Sequence, residues 1–296
     1  MPRLRIMLLA SLAMVAFAGN SLLCRLALRT TAIDPATFTS IRLVAGAAIL
    51  WIIVRLRGAR VEGSWPSGFA LFAYAGGFSF AYVSLTAGTG ALLLFGAVQV
   101  TMIGNGLLRG ERLTAVQVVG FIAAFAGLIG LVLPGITAPP LGGSLLMTGA
   151  GVAWGVYSLR GRGAGDPTNA TAGNFLRSVP FAIALSLGFV TWARIDTAGV
   201  AYAIASGAIT SGIGYVIWYA ALRGLTATSA ASLQLSVPVI TAAGAVVLLN
   251  ETVTLRLVVA SVVILGGIGL VIGKISTGTR ESKGERKNPR SSSTEH

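Results

Sequence analysis

Apolar stretches of helix length alternate with short polar breaks along most of the chain. A membrane span needs about 20 mostly apolar residues. Ten such stretches are predicted, over 6–28, 37–54, 66–87, 90–108, 115–133, 141–159, 171–192, 199–222, 228–249 and 254–273. The breaks are short, and the turn signals Pro134-Gly135 and Pro139-Pro140 follow the fifth stretch. Residues 276–296 are polar and charged and are expected to form a disordered cytoplasmic tail. The pattern predicts an all-α integral membrane protein of ten transmembrane helices.

An internal echo divides it. Residues 85–114 (LTAGTGALLLFGAVQVTMIGNGLLRGERLT) match 225–254 (LTATSAASLQLSVPVITAAGAVVLLNETVT), with Ala91, Glu111 and Thr114 on Ala231, Glu251 and Thr254 at an offset of 140. Upstream, Ala18–Arg25 aligns with Ala153–Arg160 and Arg42 with Arg177 at an offset of 135, and Asp34-Pro35 recurs as Asp166-Pro167. The units are 1–137 and 138–275, five spans each. An odd number of spans makes the second copy insert upside down, an arrangement that places a transporter's site near the midplane between copies.

Composition agrees: 54% of the 296 residues are hydrophobic, 10% are charged, and the mean hydropathy is +0.82. A soluble domain carries about 25% charged residues. The single cysteine, Cys24, leaves no intrachain disulfide and no cysteine-based metal site. The single histidine is terminal (His296), which removes imidazole catalysis and histidine-ligated metals. No cofactor and no metal are expected. There is no GK[ST] motif, and the glycines of 149–155 have the wrong spacing for a dinucleotide fingerprint.

The net charge of +13 admits two readings, nucleic-acid binding and basic cytoplasmic loops. With the N-terminus inside, Arg3, Arg5, Arg55, Arg57, Arg60, Arg109, Arg112, Arg160, Arg162 and Arg223 join the basic tail on one side, against Arg25, Arg29, Arg194 and Arg256 on the other. This scatter favours N-in/C-in and argues against nucleic acid. Arg3, Arg5 and Ala16-Phe17-Ala18 imitate a signal peptide. The first span has a repeat partner in the sixth, so it is expected to stay.

No Asp or Glu lies in the middle of a span. Proton relays in membranes use buried carboxylates or histidines, so a facilitative carrier is expected. Its substrate contacts must come from polar and aromatic side chains. Ser211, Tyr215 and Trp218 share a helical face, as do Trp154, Tyr157 and Ser158, and Ser79 and Tyr82. Each set is a candidate cavity wall or else an interfacial belt or helix packing. Asn20, Gln99 and Gln234 lie deep; an unpaired amide in hydrocarbon costs several kcal/mol, so each faces a cavity or a neighbouring helix. Gly19-Asn20-Ser21 could loosen the first helix. Arg42 and Arg177 either snorkel and bond loop carbonyls or act as gates. Pro238 is a candidate hinge or kink. Glu111 and Glu251 each precede a helix start, where capping competes with gating. Gly120-xxx-Ala124, Ala126-xxx-Gly130 and Gly269-xxx-Gly273 are close-packing signals for helices or a dimer contact.

Gly110-Glu111-Arg112-Leu113-Thr114 with Gly120, Gly127 and Gly130, and Asn250-Glu251-Thr252-Val253-Thr254 with Gly267 and Gly269, resemble the EamA-type branch of the drug/metabolite transporter superfamily. Arg42, Arg177 and Pro238 fit it. Val98, which aligns with Pro238, departs from it and puts a bend in the fourth span in doubt. The length and the aromatic sixth and eighth spans look most like the aromatic amino acid exporters (YddG-like). The resemblance implies export of amino acids through a bacterial inner-membrane carrier, monomer or homodimer, not an enzyme. It implies a cavity lined by spans 1, 3, 4, 6, 8 and 9. Alternatives are an exporter of drugs or nucleotide sugars and, from another class, a non-transporting membrane scaffold.

Overall fold

The computed structural model describes residues 3–110, 113–135, 137–161, 165–225, 230 and 233–285, with side chains as far as Ile272. These residues form ten successive helical stretches and no strand. They are α1 (Arg3–Thr30), α2 (Pro35–Leu56), α3 (Trp65–Tyr82), α4 (Ala87–Leu108), α5 (Ala115–Val132), α6 (Leu141–Gly161), α7 (Pro167–Gly188), α8 (Thr197–Leu222), α9 (Ser236–Leu249) and α10 (Leu255–Glu285). Six are long and apolar enough by themselves to cross a bilayer: α1, α2, α4, α5, α8 and, through Ile272, α10. This is a multi-pass, all-helical membrane protein. Helical backbone continues past residue 275 to Glu285; residues 286–296 lie outside the described part.

Local chemistry starts the helices. Asp34 and Asp166 each accept two backbone N–H bonds at a helix start that carries proline in its first turn, from Ala36 and Thr37 onto Asp34 and from Thr168 and Asn169 onto Asp166. Ser64 and Thr86 cap α3 and α4, and Thr114 forms a capping box with Gln117 at α5. Asn250, at φ 50°, ends α9 in the left-handed region.

Lipid tails are as apolar as leucine, so packing here rests on close van der Waals approach at small residues and on interhelical hydrogen bonds. Gly120 lies against Gly267 and Ala124 is buried, which brings α5 and α10 together. Gly130 and Gly269 meet open space, so the other two small-residue spacings do not build this contact. The main helix pairs are α1 with α8, α5 with α10, α2 with α8, α3 with α6, α2 with α7, α4 with α6, α3 with α7, α4 with α9 and α1 with α9.

Successive loops alternate between two ends. At one end Arg57 pairs with Asp166, the Glu62 N–H donates to the Asn169 carbonyl, and Gly224 abuts Ile6. Of the predicted inside arginines, the described ones, Arg3, Arg5, Arg55, Arg57, Arg60, Arg109, Arg160 and Arg223, lie on this side. At the other, Arg194 N donates to Asp34 Oδ2, Ala32 N donates to Asp196 Oδ2, and Gly135 lies beside the Arg256 guanidinium.

Candidate functional site: a closed polar–aromatic cavity

A cavity sits where α1, α3, α4, α6 and α8 cross. Its walls are Phe17, Asn20, Ser21, Tyr74, Phe78, Leu94, Phe95, Trp154, Thr210, Ser211 and Tyr215. Its volume is about 20 Å³, room for roughly one water. A metabolite enters only if the walls part.

The polar wall is one connected network. Asn20 Nδ2 donates to Tyr74 Oη at 3.1 Å, and Asn20 Oδ1 accepts from Ser206 at 2.7 Å and from Thr210 at 3.4 Å. Arg42 Nη2 donates to the same Tyr74 Oη at 3.0 Å. The helix geometry of α8 makes this possible. Ala205–Ile213 is π-helical, with i→i+5 bonding, so Ser206, Thr210 and Ser211 all turn toward α1. Gly207 lets α8 lie on the backbone of α2, because a Cβ there would strike the Arg42 carbonyl. The opposite wall is aromatic. Trp154 lies 4.8 Å from Tyr74, 5.2 Å from Tyr215 and 5.3 Å from Tyr157, which stacks on it; Phe17 meets Tyr215 edge-on at 5.8 Å.

Of the predicted contact residues, the structure brings together Asn20, Trp154, Ser211 and Tyr215 at the cavity. Tyr157 backs Trp154 and receives Asn174 Nδ2 at 3.4 Å; Trp218 packs on Phe17 one turn farther along α8. Ser79 and Tyr82 do not reach the cavity: their hydroxyls donate to the Ala75 and Ala87 carbonyls. Ser158 Oγ likewise turns back onto the Trp154 carbonyl. Gln99 is buried in α4 one turn past Phe95, and Gln234 is half-buried; neither lines the cavity. Asn105 lines a cleft of about 710 Å³ at the basic end with Arg109 and Arg160.

Several expectations change. Gly19-Asn20-Ser21 does not loosen α1, which is helical throughout, because side chains satisfy the Asn20 amide without freeing backbone. Arg42 does not snorkel; it is 1% exposed. Arg177 does bond a loop carbonyl, donating to Glu62 O at 2.9 Å, and it also donates to Gly173 O of its own helix at 3.1 Å. Pro238 is buried in the first turn of α9, just after a turn at Leu235 interrupts the helix, so it marks a break. Glu251 caps a helix other than its own. Its Oε2 accepts from Ala87 N at the start of α4, and its Oε1 accepts from Arg25 Nε at 2.9 Å, while Thr254 caps α10. Arg25 also donates to the Tyr82 and Val83 carbonyls, so α1, α3, α4 and the α9–α10 joint are tied together at the less basic end. Glu111 lies outside the described residues.

Sequence reasoning missed Phe17, Tyr74, Phe78, Phe95, Ser206 and Thr210. Tyr74 and Phe78 repeat at i, i+4 with Tyr82, and that spacing signalled the face. Ser206 and Thr210 also repeat at i, i+4; only their sharing a face with Ser211 carried no signal, since in an α-helix Ser206 and Ser211 would lie well around the cylinder from each other.

The EamA-like transporter family profile matches residues 141–273. An uncharacterized protein of Pseudomonas aeruginosa is 55% identical over 275 residues, covering 92% of this chain and 96% of that one. A protein of Archaeoglobus fulgidus described as an uncharacterized transporter is 26% identical over 283 residues, covering 90% and 97%. A solved crystal structure 22% identical in sequence superposes with a TM-score of 0.65 over 93% of this chain and 98% of its own, which supports the fold alone. With its ten helices crossing about a polar cavity, the chain belongs to the EamA-like transporter family, within the drug/metabolite transporter superfamily, and is a membrane transporter.

Proposed function

We propose that the chain exports amino acids, aromatic and other neutral ones, from a bacterial cytoplasm across the inner membrane by facilitated alternating access. The observation that carries this reading is the central cavity, in which a hydrogen-bonding wall around Asn20 and Tyr74 faces an aromatic wall around Trp154 and Tyr215. An amino acid has the matching halves, a polar backbone end and an apolar side chain. Small-molecule sites have this composition, mostly apolar with a few placed polar groups. The YddG-like resemblance points the same way.

The two five-helix units are proposed to be inverted repeats that rock against each other. In support, exchanging each helix for the one five places on maps the packing pairs onto one another: α3–α6 onto α8–α1, and α4–α6 onto α9–α1, with α2–α7, α4–α9 and α5–α10 mapping onto themselves. With the basic end placed inside, the Arg25–Glu251 tie closes the outside.

Counterflow in proteoliposomes tests the reading. Vesicles loaded with a panel of amino acids should take up labelled tryptophan or threonine without dependence on a pH gradient, and Trp154→Ala should slow that uptake about tenfold, the size of effect expected from losing an aromatic contact. Folded protein that exchanges no amino acid overturns the proposal and turns attention to nucleotide sugars and drugs.

A further inference from the structure

We infer that the cavity recognises the carboxylate of its substrate, with Tyr74, Ser21 and Ser211 as donors and Arg42 as the charge behind them. The inference rests on the reading of the cavity as the transport site and names the chemistry that site selects.

Arg42 carries a full positive charge at 1% exposure. No carboxylate among the described residues pairs with it. Its Nη1 is buried with no hydrogen-bond partner among those residues. The Tyr74 hydroxyl and the faces of Tyr74 and Phe78, 5.2 and 4.8 Å from its Cζ, answer the charge. A buried charge left this way is costly, and an anion brought close relieves the cost.

The Tyr74 hydroxyl passes that charge on. An aromatic hydroxyl has acceptor capacity and a single proton to give. Tyr74 Oη already accepts from Asn20 Nδ2 and from Arg42 Nη2, and both of these groups only donate. Asn20 turns its Nδ2 toward Tyr74 and its Oδ1 toward the Ser206 hydroxyl at 2.7 Å. The Tyr74 proton is therefore left for a third group, and Tyr74 lines the cavity. Ser21 and Ser211 line the same cavity with buried hydroxyls that also have no partner among the described residues. Donors beside a cation, with no acid in the wall, suit an anionic acceptor. An ammonium group finds there aromatic faces and neutral hydroxyl oxygens, with a like charge behind them and no carboxylate in the wall. The carboxylate is thus the required end of the substrate, and the α-amino group is dispensable.

The test compares matched ligands by competition in exchange and by shift of the melting temperature in detergent. Carboxylates (phenylalanine, tryptophan, threonine and 3-phenylpropionate) are set against phenylalaninamide and phenethylamine, in the wild type, Tyr74→Phe and Arg42→Lys. The carboxylates should compete and stabilise, and the amide and amine should do so at least tenfold more weakly. Tyr74→Phe, which removes one hydroxyl and keeps the ring, should narrow that gap at least fivefold. Amide and amine acting within twofold of the carboxylates overturn the inference, as does a folded Tyr74→Phe with unchanged selectivity, or the absence of a shift with every carboxylate. Stabilisation by 3-phenylpropionate without exchange of any amino acid would remove the amino acid reading and leave this one standing.

Discussion

Arg42 and Arg177 hold the same place in the two halves of the chain, and their backbones are treated alike. Arg42 lies against Gly207 of α8, and Arg177 against Gly68 of α3. Both helices begin with an Asp-Pro cap. The side chains then part. Arg177 is half-buried and spends its donors on the Glu62 and Gly173 carbonyls, fixing the α2–α3 loop to α7. Arg42 has no loop in reach and points its charge at Tyr74 in the protein's centre. The two arginines thus sit at matching helix crossings. The neighbours met at each crossing decide whether an arginine is a brace or a recognition group.

The sharpest way to break the comparison is at the glycines. In Gly207→Ala the new Cβ meets the Arg42 carbonyl, which is backbone and cannot give way, whereas in Gly68→Ala it meets first the Arg177 Cβ at 2.7 Å. Overpacking typically costs about 1–3 kcal/mol. Gly207→Ala should fall at or above the top of that range and Gly68→Ala near its lower half, read as melting temperatures in one detergent. Equal losses would mean that the two crossings are not distinguished by what they touch.

Next in size is Arg177→Gln. It should cost about 1 kcal/mol of stability, the worth of a typical hydrogen bond, and leave discrimination between carboxylate and amide ligands within twofold of wild type. A collapse of selectivity in this variant would erase the distinction from Arg42.

The smallest effect concerns the caps that the halves share. Burial pushes the Asp34 carboxyl up, but hydrogen bonds from Thr37, Arg194 and Ala36 outweigh it and hold it below the usual carboxylate range; for Asp166, burial is outweighed in the same way by the bonds from Thr168 and Asn169 and by Arg57. A carboxylate whose pKa is lower in the folded state adds stability that is complete above its unfolded pKa, about 3.9, and is lost as pH falls through its folded pKa. Melting temperature should be level from pH 8 to 5 in respect of these groups and drop below about pH 4. Asp34→Asn with Asp166→Asn should lower the midpoint slightly at pH 7 and shrink that drop. A drop of unchanged size would assign acid sensitivity to other groups.

Much of this protein was legible in the chain itself. Span length and apolarity fixed helices in lipid, because backbone polar groups in hydrocarbon must be satisfied internally. Asp34-Pro35 and Asp166-Pro167 were legible as a recurring connection, while the fold showed that each aspartate caps the helix after it. Trp154, Ser211, Tyr215 and Asn20 were readable as polar or aromatic residues too deep in spans to be idle. Other features depended on contacts far apart in sequence. Glu251 looked like a cap for the helix that follows it, yet its carboxylate lies on α4 and Arg25, since a side chain answers the nearest unpaired N–H and cation in space. Ser211 comes onto the face of Ser206 and Thr210 only through the π-helical stretch of α8, a backbone choice that no residue spacing announces. Tyr74 became a donor toward the cavity only because α1 and α2 both donate to its oxygen. Sequence determined what could live in a membrane and where helices begin; the tertiary structure alone decided which polar groups meet, because hydrogen bonding and charge are settled by distance in the fold.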